Sequence, residues 1–267
     1  MPIITLLTDF GIDDEYVGIM KGVILSINPC VSIVDITHHV DPQNIVQASY
    51  LIESSYTYFP EGTVHVLVVD PGVGTNRTIL ALSMNRHFFL APDNGILSFL
   101  IDKGSVDSIT EVTNSDYFLD SVSQTFHGRD IFAPVAAYLT KGVDIKCLGE
   151  PVDKKKILKL NVKRPFISDS GKISGEIVYV DHFGNLITNI DLDLLNKISA
   201  ISNYKAVEIR IGKKKIKGLT HAYESVKKKM PLAIIGSRGY LEIAVNCGSA
   251  YNYFLAEKGD NIFVTIT

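Results

Sequence analysis

The chain has 267 residues, 46% of them apolar and 21% charged, with 26 basic against 29 acidic side chains and a formal charge of −3. At roughly 150 residues per domain this leaves room for about two domains with full cores, and the charge balance excludes a basic field that would gather nucleic acid or anionic lipid. Cys30, Cys147 and Cys247 are odd in number and far apart, which excludes a disulfide framework or a Cys-x-x-Cys metal site and fits a reducing, cytoplasmic compartment.

In chain order, the acid at Asp9 comes too early for a signal peptide, and no apolar run approaches the eighteen or so residues of a membrane span. Residues 3–7 read as a buried strand closed by Thr8-Asp9. Val17, Met20, Val23, Ile24 and Ile27 recur at helical spacing, predicting a helix over residues 13–27 with an acidic first turn and a stop at Asn28-Pro29. A strand follows at 31–36, then a helix over 42–58 with Asp41 as its N-cap. A third strand at 64–69 ends in Asp70-Pro71-Gly72, with further strands expected at 78–84, 87–90 and 108–112 and helices near 96–101 and 131–139. This alternation predicts an α/β domain over residues 1–150, with a mostly parallel sheet covered by helices on both faces. Residues 151–166, rich in Lys and Pro, read as a linker. Short strands at 171–180, 186–189, 206–211, 232–235, 240–246 and 261–266 then predict a smaller all-β domain over 167–267. The lysine triplets at 154–156, 213–215 and 227–229 lack interleaved aromatics and read as solvated faces.

Several residues could carry chemistry. Asp9 and Asp70 both stand at carboxyl ends of expected parallel strands, the edge where open α/β sheets bind ligands. Arg77 closes the glycine-containing loop that starts at Asp70 and could fold back toward that acid; no phosphate-loop lysine follows, so Gly72-x-Gly74 alone says little. Thr125-Phe126-His127-Gly128-Arg129-Asp130 packs an imidazole, a guanidinium and a carboxylate just before a helix. His38 and His39 are adjacent on a strand end, so they face opposite ways and make a poor metal pair. Residues 181–189 and 237–242 each have an ordinary reading as turns between strands.

Taken together, five segments resemble the S-adenosyl-L-methionine hydroxide adenosyltransferases, relatives of the enzymes that halogenate adenosine. They are Leu6-Leu7-Thr8-Asp9-Phe10-Gly11, Val69-Asp70-Pro71-Gly72-Val73-Gly74, residues 125–130, Phe183-Gly184-Asn185 with Thr188-Asn189, and Ser237-Arg238-Gly239-Tyr240-Leu241 with Val245-Asn246. They keep the family's order from residue 6 to about residue 250. The resemblance implies a homotrimer whose substrate lies between the N-terminal domain of one subunit and the C-terminal domain of the next. It implies Asp70, Arg77 and His127 as catalytic residues and Asp9 as the acid that holds the ribose hydroxyls. Phe183 and Asn185 match adenine-contacting positions, and Val245 and Cys247 would offer backbone groups to adenine. Asp181, Ser237 and Arg238, with Glu242 beside them, match the pocket for the amino-acid group; Asp181 stands one residue closer to Phe183 than in the halogenating relatives. Those relatives carry a tyrosine where Asp70 stands and lack the His-Gly-Arg-Asp stretch, so this chain sides with the branch that uses water.

The implied reaction takes S-adenosyl-L-methionine and water to adenosine and L-methionine, with no metal and no cofactor. A sulfonium makes methionine a good leaving group, so the task is to activate water, for which a positioned base contributes about 10²–10⁴-fold. Either Asp70 or His127 could take the proton. Other readings differ in products: chlorinated adenosine for a halide-using enzyme, none for a non-catalytic adenosine binder, and chelator-sensitive turnover for a metal phosphatase on Asp9, Asp13, Asp14 and His38-His39.

Overall fold

In the computed structural model, which describes residues 1–198 and 206–266, the chain divides into two units, Met1–Asn161 and Val162–Thr267. The first contains β1 (Ile3–Thr8), α1 (Tyr16–Ile27), β2 (Ser32–Thr37), α2 (Ile45–Ser55), β3 (Val64–Val68), β4 (Ile79–Met84), β5 (His87–Pro92), α3 (Ser98–Lys103), β6 (Val106–Glu111) and α4 (Ala133–Thr140). Its strands lie in the order β2-β1-β3-β5-β4-β6. The first four are parallel, and β4 runs antiparallel to both of its neighbours.

Residues of one strand alternate between two cores, as the two-residue period of a strand requires. Ile4, Leu6, Val64, Val66 and Val68 face Val17, Met20 and Ile24 of α1 and Val135, Ala136 and Leu139 of α4. Leu7, Leu67, Leu80 and Leu82 face Ala48 and Ile52 of α2 and Leu100 and Ile101 of α3. Burial on both faces explains why these strands read as unbroken apolar runs. Val152 and Ile157, in the segment read as a linker, join the second core, and Leu158 N donates to Asp93 Oδ1 at 3.0 Å.

Two helix starts differ from the sequence reading. Helix α1 begins at Tyr16, so Asp13 and Asp14 precede it rather than forming its first turn. Helix α2 is capped not by Asp41 but by Asn44, whose side chain accepts from Gln47 N at 3.1 Å. The reason is Gln43, whose φ of 63° is incompatible with a helix. Asn44→Ala is therefore expected to lower stability by about 1 kcal/mol, more than Asp41→Ala, in urea unfolding at neutral pH.

The second unit holds β7 (Phe166–Ile167), β8 (Ile173–Val180), β9 (Leu186–Asp191), α5 (Leu192–Ile198), β10 (Val207–Ile211), β11 (Lys214–Lys217), β12 (Pro231–Ile235), β13 (Tyr240–Val245), α6 (Ala250–Phe254) and β14 (Asn261–Ile266). The order β11-β10-β14-β8-β9-β13-β12, with β7 on β8, is antiparallel throughout. The all-β expectation missed α5 and α6, each too short to show a helical period. It also missed β11, because a lysine triplet hides the single inward residue, Ile216.

Candidate active site

The parallel register carries the first half of the site. Thr8 of β1 pairs with Val68 of β3, so the chain leaves both strands at one edge and sets Asp9 beside Asp70. The following loop turns back at Gly74, whose φ is 77° and whose Cβ, if it had one, would lie 2.2 Å from the Gln124 carbonyl oxygen. Only glycine fits there. The turn returns Arg77 to Asp70: Nε donates to Oδ1 at 2.7 Å and Oδ2 at 2.6 Å, and Nη2 also contacts Oδ2. Both side chains are almost fully buried, at 4% for Asp70 and 9% for Arg77.

Arg77 Nη2 reaches on to His127 Nδ1 at 2.9 Å. A guanidinium can only donate, so Nδ1 accepts and the neutral ring carries its proton on Nε2. Burial first, and the Arg77 charge second, hold the His127 pKa below its ordinary value, against the opposing pull of Asp70. His127 is delivered by one wide π-helical turn, Gly128–Phe132, that leads into α4. Asp130 within it is wholly buried. It anchors the preceding loop by accepting from Ser123 N at 2.8 Å and Ser123 Oγ at 2.7 Å, while Arg129 Nε donates to its other oxygen at 2.6 Å.

A cavity of about 450 Å³ opens beside Asp70 and His127, lined also by Asp9, Phe10, Tyr16, Gln43 and Phe126. The three rings pack with centroids 5.7, 6.0 and 5.1 Å apart. Asp9 Oδ2 accepts from Gln43 N at 2.8 Å. Sequence reasoning gave no role to Tyr16 or Gln43. The one signal for Gln43 was the mismatch between its left-handed backbone and the helix expected there, which only the structure reveals. His38 sits behind this edge, its Nδ1 2.9 Å from Thr8 Oγ1, while His39 is exposed, as adjacent strand-end residues should be. Among the described residues no group of three or more His, Cys, Asp or Glu is placed to hold a metal.

The other expected residues lie in the second unit. Asp181, Phe183, Asn185, Ser237, Arg238 and Glu242 share a cavity of about 230 Å³ with Tyr223. Phe183, Asn185, Val245 and Cys247 line an adjoining one of about 430 Å³, again with Tyr223. Phe183 is 76% exposed, unusual for an aromatic ring and suited to stacking on a flat ligand. Asn185 is buried, Val245 pairs in β13, and Cys247 is exposed with its carbonyl accepting from Lys229 Nζ at 2.6 Å. Arg238 lies over the Tyr179 ring at 5.5 Å. Tyr223 escaped sequence reasoning because it stands in a segment with no periodic signal.

The chain matches the family models of the SAM hydroxide adenosyltransferase N-terminal domain over residues 4–149 and C-terminal domain over residues 175–263. It is 32% identical to the (R)-S-adenosyl-L-methionine hydrolase of Salinispora arenicola, over 99% of this chain and 98% of that one. It is 27% identical to the fluorinase of Actinopolyspora mzabensis over 99% and 97% of the two chains. A solved structure of an uncharacterised conserved protein from Thermotoga maritima superposes with a TM-score of 0.90 at 37% identity, over 99% of both chains. With both domains matched in order, the chain belongs to the SAM hydroxide adenosyltransferase family.

Proposed function

We propose that this protein hydrolyses S-adenosyl-L-methionine to adenosine and L-methionine, with the Asp70–Arg77–His127 trio as the water-activating group. The observation that carries this reading is the trio itself: a buried carboxylate and a neutral imidazole joined through one guanidinium. A halide nucleophile has no proton to lose and needs no such base; water does. The names of the full-length hydrolase relatives support the same reading.

The geometry divides the work. With Nδ1 engaged by Arg77, His127 presents only its Nε2–H, which donates to the attacking oxygen and holds it in place. The proton therefore goes to Asp70. As the water O–H bond breaks toward Asp70, the oxygen bonds to the 5′ carbon. The C5′–S bond breaks with its electron pair on sulfur, which leaves methionine as a neutral thioether. Arg77 steadies the charge that passes between water and carboxylate. Holding the oxygen in line behind the 5′ carbon is worth as much as roughly 7–11 kcal/mol when orientation is ideal. Asp9 binds the ribose hydroxyls, and the second unit takes adenine and the amino-acid end. No metal or cofactor enters, because the sulfonium leaves unaided.

The descriptor (R) in the relatives' names has to refer to sulfur, since L already fixes the amino-acid carbon, and we assign the same sulfonium configuration to this protein's substrate. The reading also assigns the meeting of the two groups of residues to neighbouring subunits of a homotrimer in the cytoplasm, where its unpaired cysteines stay reduced. Among the described residues no helix is long and apolar enough to cross a membrane.

The test incubates chelator-treated protein with resolved sulfonium epimers in ¹⁸O-water, with and without chloride. Adenosine carrying label at its 5′ oxygen, formed from the (R) epimer in both conditions, is expected. Chlorinated adenosine would move the protein to the halogenating branch, and equal rates for both epimers would remove the stereochemical assignment. Scattering that gives a monomer would overturn the trimer.

A further inference from the structure

The two carboxylates of the smaller cavity are not equivalent. Among the described residues, all three hydrogen bonds that the Asp181 carboxylate accepts come from its own turn: Oδ1 from Phe183 N and Asn185 N, each at 2.9 Å, and Oδ2 from Asn185 Nδ2 at 3.0 Å. They fix the turn that carries Phe183 and Asn185, so the acid is occupied in building local structure.

Glu242 is placed differently. It sits on β13, only 8% exposed, and its Oε1 accepts from the Tyr223 hydroxyl at 2.6 Å. Its Oε2 accepts no hydrogen bond among the described residues. That oxygen lies against Gly236, where a Cβ would come within 2.7 Å of it, so the glycine leaves it room. Arg238 favours its charged form only from a distance: no ion pair joins the two within 4 Å among the described residues, and the guanidinium rests over Tyr179. Burial pushes the Glu242 carboxyl up, and the Tyr223 O–H pulls it partly back. A buried carboxylate with one oxygen held and one open to a polar cavity is an incomplete pair, and such a group is costly until a cation completes it.

We propose that Glu242, positioned by the Tyr223 hydroxyl, is the acceptor for the α-ammonium of the substrate's amino-acid end, while Asp181 serves to build the adenine-facing turn. The assignment rests on the hydrolase reading above. It separates two acids to which family resemblance gives one shared role, and it adds Tyr223 as a positioning residue.

The test uses three ligands that the protein does not turn over: S-adenosyl-L-homocysteine, its deamino analogue, and adenosine, each titrated calorimetrically into the intact protein. A charge-assisted hydrogen bond in a buried site gives an expected preference for the amine-bearing ligand of about 10–100-fold. Glu242→Gln is expected to bring that ratio near one with adenosine affinity unchanged. Tyr223→Phe, at a partly exposed position that tolerates change, is expected to reduce the ratio several-fold. Asp181→Asn is expected to keep the ratio and weaken adenosine. A full preference retained in both Glu242→Gln and Tyr223→Phe, or one abolished by Asp181→Asn alone, overturns the assignment. A wild-type protein that hydrolyses S-adenosyl-L-methionine without any ammonium preference overturns it alone. One that binds none of the three ligands overturns the hydrolase reading and this assignment together.

Discussion

Asp70→Asn is expected to slow adenosine formation by about 10²–10⁴-fold, the usual contribution of a positioned base, with adenosine affinity unchanged. The substitution keeps the shape of the side chain and removes the charge that receives the proton in the proposed mechanism. Its second cost falls on Arg77, which is left buried without a counter-ion. Arg77→Lys is expected to lose activity as well, since an ammonium cannot bridge Asp70 and His127 as the planar fork does. The pH profile follows from the same contacts. Because burial and Arg77 lower the His127 pKa, the ring stays neutral at pH 7 and charges only below its ordinary value of 6.5. Once charged, Nδ1 presents a hydrogen to the Arg77 N–H it had accepted from, and the trio opens. The rate should fall on the acid side of 6.5, and labelled product formed at the wild-type rate by Asp70→Asn would sink the assignment.

The second large effect concerns stability in acid. Thr5 Oγ1 lies 2.7 Å from His65 Nδ1, and His65 Nε2 lies 3.2 Å from His87 Nδ1. This buried chain runs across β1, β3 and β5 beneath Tyr56 and Phe89. Two neutral rings and one hydroxyl satisfy one another; an added proton would put a charge among groups buried away from water. Burial, with the neighbouring His87 second, lowers the His65 pKa to about 3, and burial also lowers that of His87. The unfolded chain therefore binds a proton near pH 6.5 that the folded chain refuses until about pH 3. The contribution to stability is complete above 6.5 and is lost as pH falls through that window, by on the order of 5 kcal/mol in all. That is a large part of the total stability of an ordinary domain. His65→Leu should be less stable than wild type at pH 7 yet lose about 3 kcal/mol less between pH 6.5 and 4 in urea unfolding. Parallel losses in the two proteins would show that other groups set the acid limit.

Much of this was legible in the sequence where one residue's chemistry decides one position. Unbroken apolar runs marked the parallel strands, and acids at their ends marked the edge that carries Asp9 and Asp70. The seven-residue return from Asp70 to Arg77 could be read from its glycines. His127 was less accessible, since fifty residues separate it from Arg77 and only family resemblance joined them. What could not be read depends on backbone states that composition leaves open. The left-handed Gln43 supplies an N–H to Asp9 where a helix was expected. Resemblance gave Asp181 and Glu242 the same surroundings, and only their hydrogen bonds separate them.

The wide turn at residues 128–132 has a consequence for how this site can vary. Each residue advances an α-helix by about 100°, so a π-turn is in effect a helix carrying one residue too many. Deleting any one residue there would let the segment close to α geometry and keep α4 packed. It would also swing His127 about 100° around the axis, away from Arg77. The site thus has a phase as well as a position. Length changes in this turn are expected to be far more damaging than substitution of Arg129, its one partly exposed side chain.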